Sequence, residues 1–153
     1  MLIISRVKLK PQHGGVLIEA LVAILIFSLG IIGLLGLQAA SIKSSGDAKY
    51  RSDASYLVNQ IIAQMWVDRT NIDTYSHYPS GPTCSFTGAG SSSPFVTGWL
   101  SEITDKLPGA NADKTQIVVS TVDGTKQIKV TICWKTPLET TPHNFVTTAQ
   151  INP

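Results

Sequence analysis

The sequence is organised around His13-Gly14-Gly15-Val16-Leu17-Ile18-Glu19, which opens an apolar run that continues to Leu37. Few residues within that run are not apolar: Glu19, Ser28, Gly30, Gly33 and Gly36. A bilayer core about 30 Å thick requires roughly 20 apolar residues of α-helix. The run therefore predicts a transmembrane helix that carries one carboxylate near its start.

Three basic side chains, those of Arg6, Lys8 and Lys10, precede the apolar run. Basic flanks favour the cytoplasmic side of a membrane, which places the C-terminal part outside the cytoplasmic membrane. A cleaved secretory signal peptide is the alternative, with Ala39-Ala40-Ser41 as its candidate cleavage site. Because the apolar region of a signal peptide is about 7 to 15 residues long, the longer run favours a retained anchor.

The same block resembles the N-terminus of a type IV prepilin, in which a peptidase cuts after a glycine and the fifth mature residue is glutamate. Counting Glu19 as that residue puts the cut after Gly14 and makes Gly15 the first mature residue, where the family usually has phenylalanine. A cut after Gly15 would leave Glu19 fourth, so the spacing favours Gly14. The resemblance also implies that Gly15 is N-methylated.

Three further stretches are similar to minor pilins of the pilus-modification type (the PilV family): Ser28 to Gln38, Trp99 to Gly109 and Ile128 to Trp134. The resemblance implies an inner-membrane protein with a single pass and a periplasmic head that takes part in type IV pilus assembly or initiation and reaches the cell surface. The implied partners are other minor and major pilins, the prepilin peptidase and the inner-membrane assembly machinery. A minor pseudopilin of type II secretion and a DNA-uptake pilin are the alternatives.

Glu19 is the candidate assembly residue. An ionisable side chain inside a membrane segment is costly and is by default a functional hypothesis. The resemblance supplies a partner, the N-terminal amine that cleavage creates on a neighbouring subunit. The alternative is that Glu19 lies at the level of the lipid headgroups and reaches water there.

Charge argues against nucleic acid as a partner. The 153 residues contain 12 basic and 10 acidic side chains. Removal of a leader with Arg6, Lys8 and Lys10 leaves nine basic side chains against ten acidic ones, a net charge of −1. A nucleic-acid-binding protein is expected to carry a basic patch.

We expect an α+β, pilin-like fold, in which a long N-terminal helix packs on a small antiparallel β-sheet. The expected layout is a basic leader (1–14), a transmembrane half of the helix (15–40), an amphipathic half (41–70) and a head domain (71–153). The helix is predicted from about Val16 to about Arg69. Its second half carries one apolar stripe on a 3.6-residue period, with Trp66 adjoining it: Ala54, Leu57, Val58, Ile61, Ile62 and Met65.

The head domain begins with residues of loop composition, from Asn71 to Phe95. A short helix is then predicted, with Ser93 as its cap, Pro94 in its first turn and an end at Pro108-Gly109. Its apolar residues form one face, which we expect to pack in the core: Val96, Trp99, Leu100, Ile103 and Leu107.

A β-hairpin follows, because Asp123-Gly124 is a residue pair that a two-residue type I′ turn prefers. That turn joins a strand from Thr115 to Val122 with one from Thr125 to Trp134. It pairs Val119 with Ile128, Ile117 with Val130 and Thr115 with Ile132, which places the apolar residues on one face. A third strand is predicted at about Phe145 to Ile151.

Cys84 and Cys133 are the two cysteines, and the predicted topology places both outside the cytoplasm. An oxidising compartment favours a disulfide between them; the alternative is two free thiols. Neither His77 nor His143 has a motif spacing to a cysteine, and the sequence contains no metal-ligand pattern and no phosphate-binding glycine loop. We therefore expect a protein that is not an enzyme and has no metal or cofactor.

Overall fold

A computed structural model describes residues 13–137 and 139–152, so the leader charges Arg6, Lys8 and Lys10 lie outside the described residues. The helices are α1 (His13–Val67) and α2 (Pro94–Lys106), and the strands are β1 (Thr115–Val122), β2 (Thr125–Trp134) and β3 (His143–Ile151). Short 3₁₀ helices cover Arg69–Tyr75 and Ala112–Lys114. The architecture is α+β and pilin-like: a long N-terminal helix packs on a three-stranded antiparallel sheet. The chain forms two compact units, Met1–Ser45 and Gly46–Pro153.

Within the second unit, α1 contributes the apolar stripe that its periodicity predicts. The six stripe residues are each at most 8% exposed, while the adjoining Trp66 is 46% exposed. The stripe belongs to the core, together with residues of α2 and of all three strands. The helix begins three residues before the predicted start and ends two residues before the predicted end. At Asp68 the backbone leaves α-helical geometry, and the 3₁₀ helix follows.

The hairpin has the predicted register, since Val119 pairs with Ile128, Ile117 with Val130 and Thr115 with Ile132. Asp123 and Gly124 have φ angles of 50° and 77°. Positive φ at both central positions defines a type I′ turn, whose twist matches that of the flanking strands. The turn chemistry and the apolar pattern therefore select the same pairing.

The third strand is confirmed, and it begins at His143, two residues before the predicted start. It pairs antiparallel with β2, which lies in the centre of the sheet order β1-β2-β3. Side chains along β3 alternate between partly buried and exposed positions, which is the period-2 pattern of an edge strand with one face on a core. Phe145 and Ala149 pack against the core cluster, and Ile151 belongs to it.

The short helix α2 packs its predicted face inward. Val96, Trp99 and Ile103 are buried, and the indole Nε1–H of Trp99 donates a 2.8 Å hydrogen bond to the backbone carbonyl of Leu57 in α1. Ser93 occupies the N-cap position as predicted, but its side chain makes no capping hydrogen bond.

Candidate functional site

The most unusual surface of the molecule is the apolar half of α1. Every residue from 14 to 45 is exposed. Large apolar side chains in this segment retain between 42% and 74% of their accessible surface, and an 18-residue window with a mean hydropathy of 2.7 has no buried residue. Burying one such side chain completely contributes about 1.5–3 kcal/mol. The segment therefore requires an apolar environment, either lipid or other protein chains.

By length and composition this helix is able to cross a membrane. A core helix of a soluble protein has a similar composition but is mostly buried, whereas this window is not buried at all. The chain is therefore compatible with a single-pass membrane protein whose anchor lies near its N-terminus.

Glu19 is exposed and lies in the second turn of α1. It is the single ionisable side chain from 14 to 42 in the sequence. It makes no hydrogen bond or ion pair with another described residue. In an apolar surrounding, a carboxylate without a partner is strongly unfavourable, so Glu19 requires a counter-charge from outside the described chain or access to the headgroup region.

Gly14 and Gly15 belong to the first turn of α1, and a Cβ atom added at either position would contact nothing within 4 Å. The first four N–H groups of a helix have no acceptor within the helix. Glycine also forms helices about 1 kcal/mol less favourably than alanine. Unwinding this first turn therefore costs little.

The single hydroxyl inside the apolar run, that of Ser28, forms its hydrogen bond within α1. Ser28 Oγ donates a 2.7 Å hydrogen bond to the carbonyl oxygen of Ile24, one turn earlier. Such a bond back to residue i−4 removes the need for water. α1 continues without a break through this position, so the serine does not interrupt a membrane helix.

The predicted disulfide is confirmed: Cys84 and Cys133 are bonded. Cys133 is fully buried on the central strand β2, and Cys84 lies in the loop between α1 and α2. Backbone hydrogen bonds also tie the loop to β1, between His77 and Ile117 at 2.9 Å in both directions, and to the 3₁₀ helix just before β1, from Phe86 N to Asp113 O at 2.8 Å. The disulfide and these bonds hold the loop at the start of β1 and the adjacent end of β2.

His77 is a structural residue of this loop. It is 4% exposed, its Nε2 lies 3.1 Å from the carbonyl oxygen of Ala112, and its Nδ1 accepts a 3.2 Å bond from Ser91 N. Burial lowers the pKa of His77, and the hydrogen bond to Ala112 partly offsets this by raising it. Both ring nitrogens form hydrogen bonds with backbone groups, so His77 has a structural role in the loop.

A shallow groove of about 300 Å³ separates part of α1 from α2. Its lining combines the amides Gln60 and Gln64 with the aromatic rings of Phe95 and Trp99. The sequence predicts a packing role for Trp99, and its burial confirms that role.

Sequence reasoning missed one cluster of side chains. Asp47 in α1, Glu139 in the β2–β3 connection and His143 at the start of β3 each offer a ligand atom, and these atoms all lie within 4.8 Å of one another. The positions are 92 and 4 residues apart, which matches no local metal motif. Only the packing of α1 beside the β2–β3 connection brings them together.

Comparison with known proteins adds no identification, since no protein-family model, curated protein or solved structure matches this chain. The roles of Gly14, Gly15 and Glu19 in processing and assembly therefore stay predictions, as does the absence of enzymatic activity.

Proposed function

We propose that this protein is a minor pilin, a structural subunit that a prepilin peptidase trims and that takes part in type IV pilus assembly or initiation. One observation carries the proposal: an apolar helix, exposed from residue 14 to residue 45, holds a lone carboxylate four residues after a Gly-Gly pair. A membrane anchor alone needs the apolar length. It needs neither the glycines nor the carboxylate within the apolar run.

The proposed mechanism is electrostatic pairing inside an apolar bundle. Cleavage after Gly14 exposes a cationic amine on Gly15, and Glu19 of one subunit receives the amine of its neighbour. Each charge alone is costly to bury, and pairing offsets part of that cost. The apolar side chains of the same helix would pack against neighbouring helices in place of lipid, and this packing would stabilise the bundle.

Orientation and location belong to the same proposal. The basic side chains of the leader favour the cytoplasm, so the head would lie in the periplasm before the subunit enters the fibre. The Cys84–Cys133 disulfide supports this arrangement, because disulfides persist in oxidising compartments and are rare in the cytosol. The partners would be other pilins, the prepilin peptidase and the inner-membrane assembly machinery.

Processing is tested by mass spectrometry of the mature N-terminus. The expected result is a chain that begins at Gly15 and carries an N-methyl group. An intact Met1, or a chain that begins after Ala40, would contradict the proposal.

Assembly is tested with Glu19→Ala, compared with wild type and with Glu19→Gln. Membrane insertion is expected to remain, because both changes make the segment more apolar. Incorporation into sheared pili, measured by immunoblot, is expected to fall at least tenfold for both variants. Co-purification at the wild-type level would refute the pairing, and association with a secretion pseudopilus in place of pili would favour the pseudopilin alternative.

A further inference from the structure

The side chains of Asp47, Glu139 and His143 form a small polar cluster that the proposed function does not use. His143 Nε2 lies 2.7 Å from Glu139 Oε2, and the carboxylate of Asp47 lies within 4.8 Å of both ligand atoms. All three residues are partly buried. Two carboxylates and one imidazole thus converge from two separate segments of the compact unit Gly46–Pro153 (the head unit).

The surrounding structure fixes the positions of these groups. His143 pairs with Trp134 across β2 and β3, and the two rings stack with centroids 5.8 Å apart. Thr136 Oγ1 donates a 2.7 Å hydrogen bond to Glu139 Oε2, and Asp47 is held by α1. In metal sites, the ligands are typically held in place by rigid elements and by additional hydrogen bonds to neighbouring residues.

Trp134 is buried beside this cluster. It is 1% exposed, and its Nε1–H has no acceptor among residues 13–137 and 139–152. A buried N–H donor calls for an acceptor, which a metal-bound water can supply and a cation itself cannot. This donor belongs to the ring that stacks on His143.

We propose that Asp47, Glu139 and His143 bind one divalent transition-metal ion, with Zn²⁺ as the best fit. Zn²⁺ accepts one imidazole nitrogen and two carboxylate oxygens and completes its four ligands with water. Ligand atoms around tetrahedral Zn²⁺ lie about 3.4 Å apart. To reach that spacing, the 2.7 Å contact between His143 Nε2 and Glu139 Oε2 would lengthen, and any contact longer than about 3.4 Å, up to the 4.8 Å limit, would shorten.

The ligand set also discriminates between cations. Ca²⁺ prefers six to eight oxygen ligands, whereas an imidazole nitrogen favours zinc and other transition metals. On binding, the ion would take the place of a hydrogen between His143 Nε2 and Glu139 Oε2, and that proton would be released to solvent. It would cross-link α1, at the first turn of the head unit, to the β2–β3 connection and to the edge strand β3. This inference does not depend on the proposed role in pili.

The binding test uses the full-length, tag-free chain in detergent micelles, stripped with a chelator and titrated with ZnCl₂ by calorimetry. One equivalent is expected to bind, and the urea midpoint is expected to rise with the Zn²⁺ concentration. Asp47→Asn, Glu139→Gln and His143→Asn are each expected to weaken binding at least tenfold. Asp105→Asn, which changes an exposed carboxylate on α2, is the matched control and is expected to bind as the wild type does.

Histidine NMR on the wild type keeps the test independent of how well the variants fold. Zn²⁺ is expected to shift the Nε2 resonance of His143 and to leave His77, whose ring nitrogens are both hydrogen-bonded to the backbone, unchanged. Absence of stoichiometric binding, an unshifted His143 resonance, wild-type affinity in all three ligand variants, or equal affinity for Ca²⁺ would each overturn the assignment.

Discussion

Removing the Cys84–Cys133 bond is expected to cost a large part of the stability of the head unit. The two cysteines are 49 residues apart in sequence, and closing a loop of this length stabilises a fold by about 4 kcal/mol in the chain-entropy model. Domains of this size are stable by about 5–15 kcal/mol in total. For a unit of about 100 residues, a loss of 4 kcal/mol lowers Tm by roughly 16 °C.

The structure explains why the loop depends on this bond. Outside the turn around Cys84, the Phe86 N–Asp113 O hydrogen bond and the buried Phe86 side chain attach it to the rest of the head unit. The reciprocal pairing of Ser80 with Thr87 lies within the loop itself. Cys133 is fully buried, so alanine is the appropriate replacement at both positions. A serine at Cys133 would bury a hydroxyl at an added cost.

The assay is urea unfolding of Cys84→Ala/Cys133→Ala and of the wild type in the same nonionic micelles. Tryptophan fluorescence reports the transition, because Trp99 and Trp134 are both buried in the folded state. Wild-type protein treated with reductant is expected to unfold at the midpoint of the double variant. Reductant is expected to leave the double variant unchanged.

Two outcomes would refute this reasoning. Free energies of unfolding that differ by less than about 1 kcal/mol between oxidised and reduced wild type would show that the loop is held by other contacts. A shift of the double variant on reduction would show that the reductant acts elsewhere.

Two further predictions concern the head unit. Gly124→Ala is expected to lower the free energy of unfolding by about 1 kcal/mol, because φ at this position is +77°. Gly98→Ala in α2, where an added Cβ contacts nothing within 4 Å, is expected to raise it by about the same amount. Urea midpoints at pH 7 measure both changes, and shifts of the same sign would contradict this reading of the two glycines. Burial lowers the pKa of His77 in the folded state, so the unfolded chain binds the proton more readily, and the free energy of unfolding is expected to fall as the pH drops through about 6.5, the unfolded value. Urea midpoints between pH 7.5 and 5.5 test this slope, which His77→Asn should lose.

Much of the fold follows from local patterns in the sequence. The 3.6-residue stripe of α1 predicts its buried face, and the Asp123-Gly124 turn predicts a register that the structure confirms pair by pair. Both patterns succeed because their periodicity is imposed by the backbone geometry of a single element. The ends of the elements follow less directly from these patterns. α1 ends at Val67 rather than near Arg69, because the 3₁₀ helix takes up the last residues of the predicted α-helix.

Features that depend on tertiary placement were not predictable. Asp47 meets Glu139 and His143 through the packing of a helix against a connection more than ninety residues later. His77 gives no sequence signal of its backbone contacts with Ala112 and Ser91. Composition predicts a loop in this region and the two cysteines predict its disulfide, but the hydrogen bonds that fix the loop are visible only in the folded chain.

The two parts of α1 differ in what covers their apolar side chains. From residue 46 onward, one face of the helix is covered by the chain's own sheet and by α2, so substitutions there change the stability of the head unit. From residue 14 to residue 45, the described part of the chain leaves every large apolar side chain at least 42% exposed, and Glu19 has no partner among the described residues. Substitutions in that segment are therefore expected to leave the unfolding of the head unchanged and to alter membrane retention or assembly. The surroundings of the apolar half of α1 are therefore molecules outside the described chain, and the proposed pilus bundle would supply both apolar contacts and a cation for Glu19.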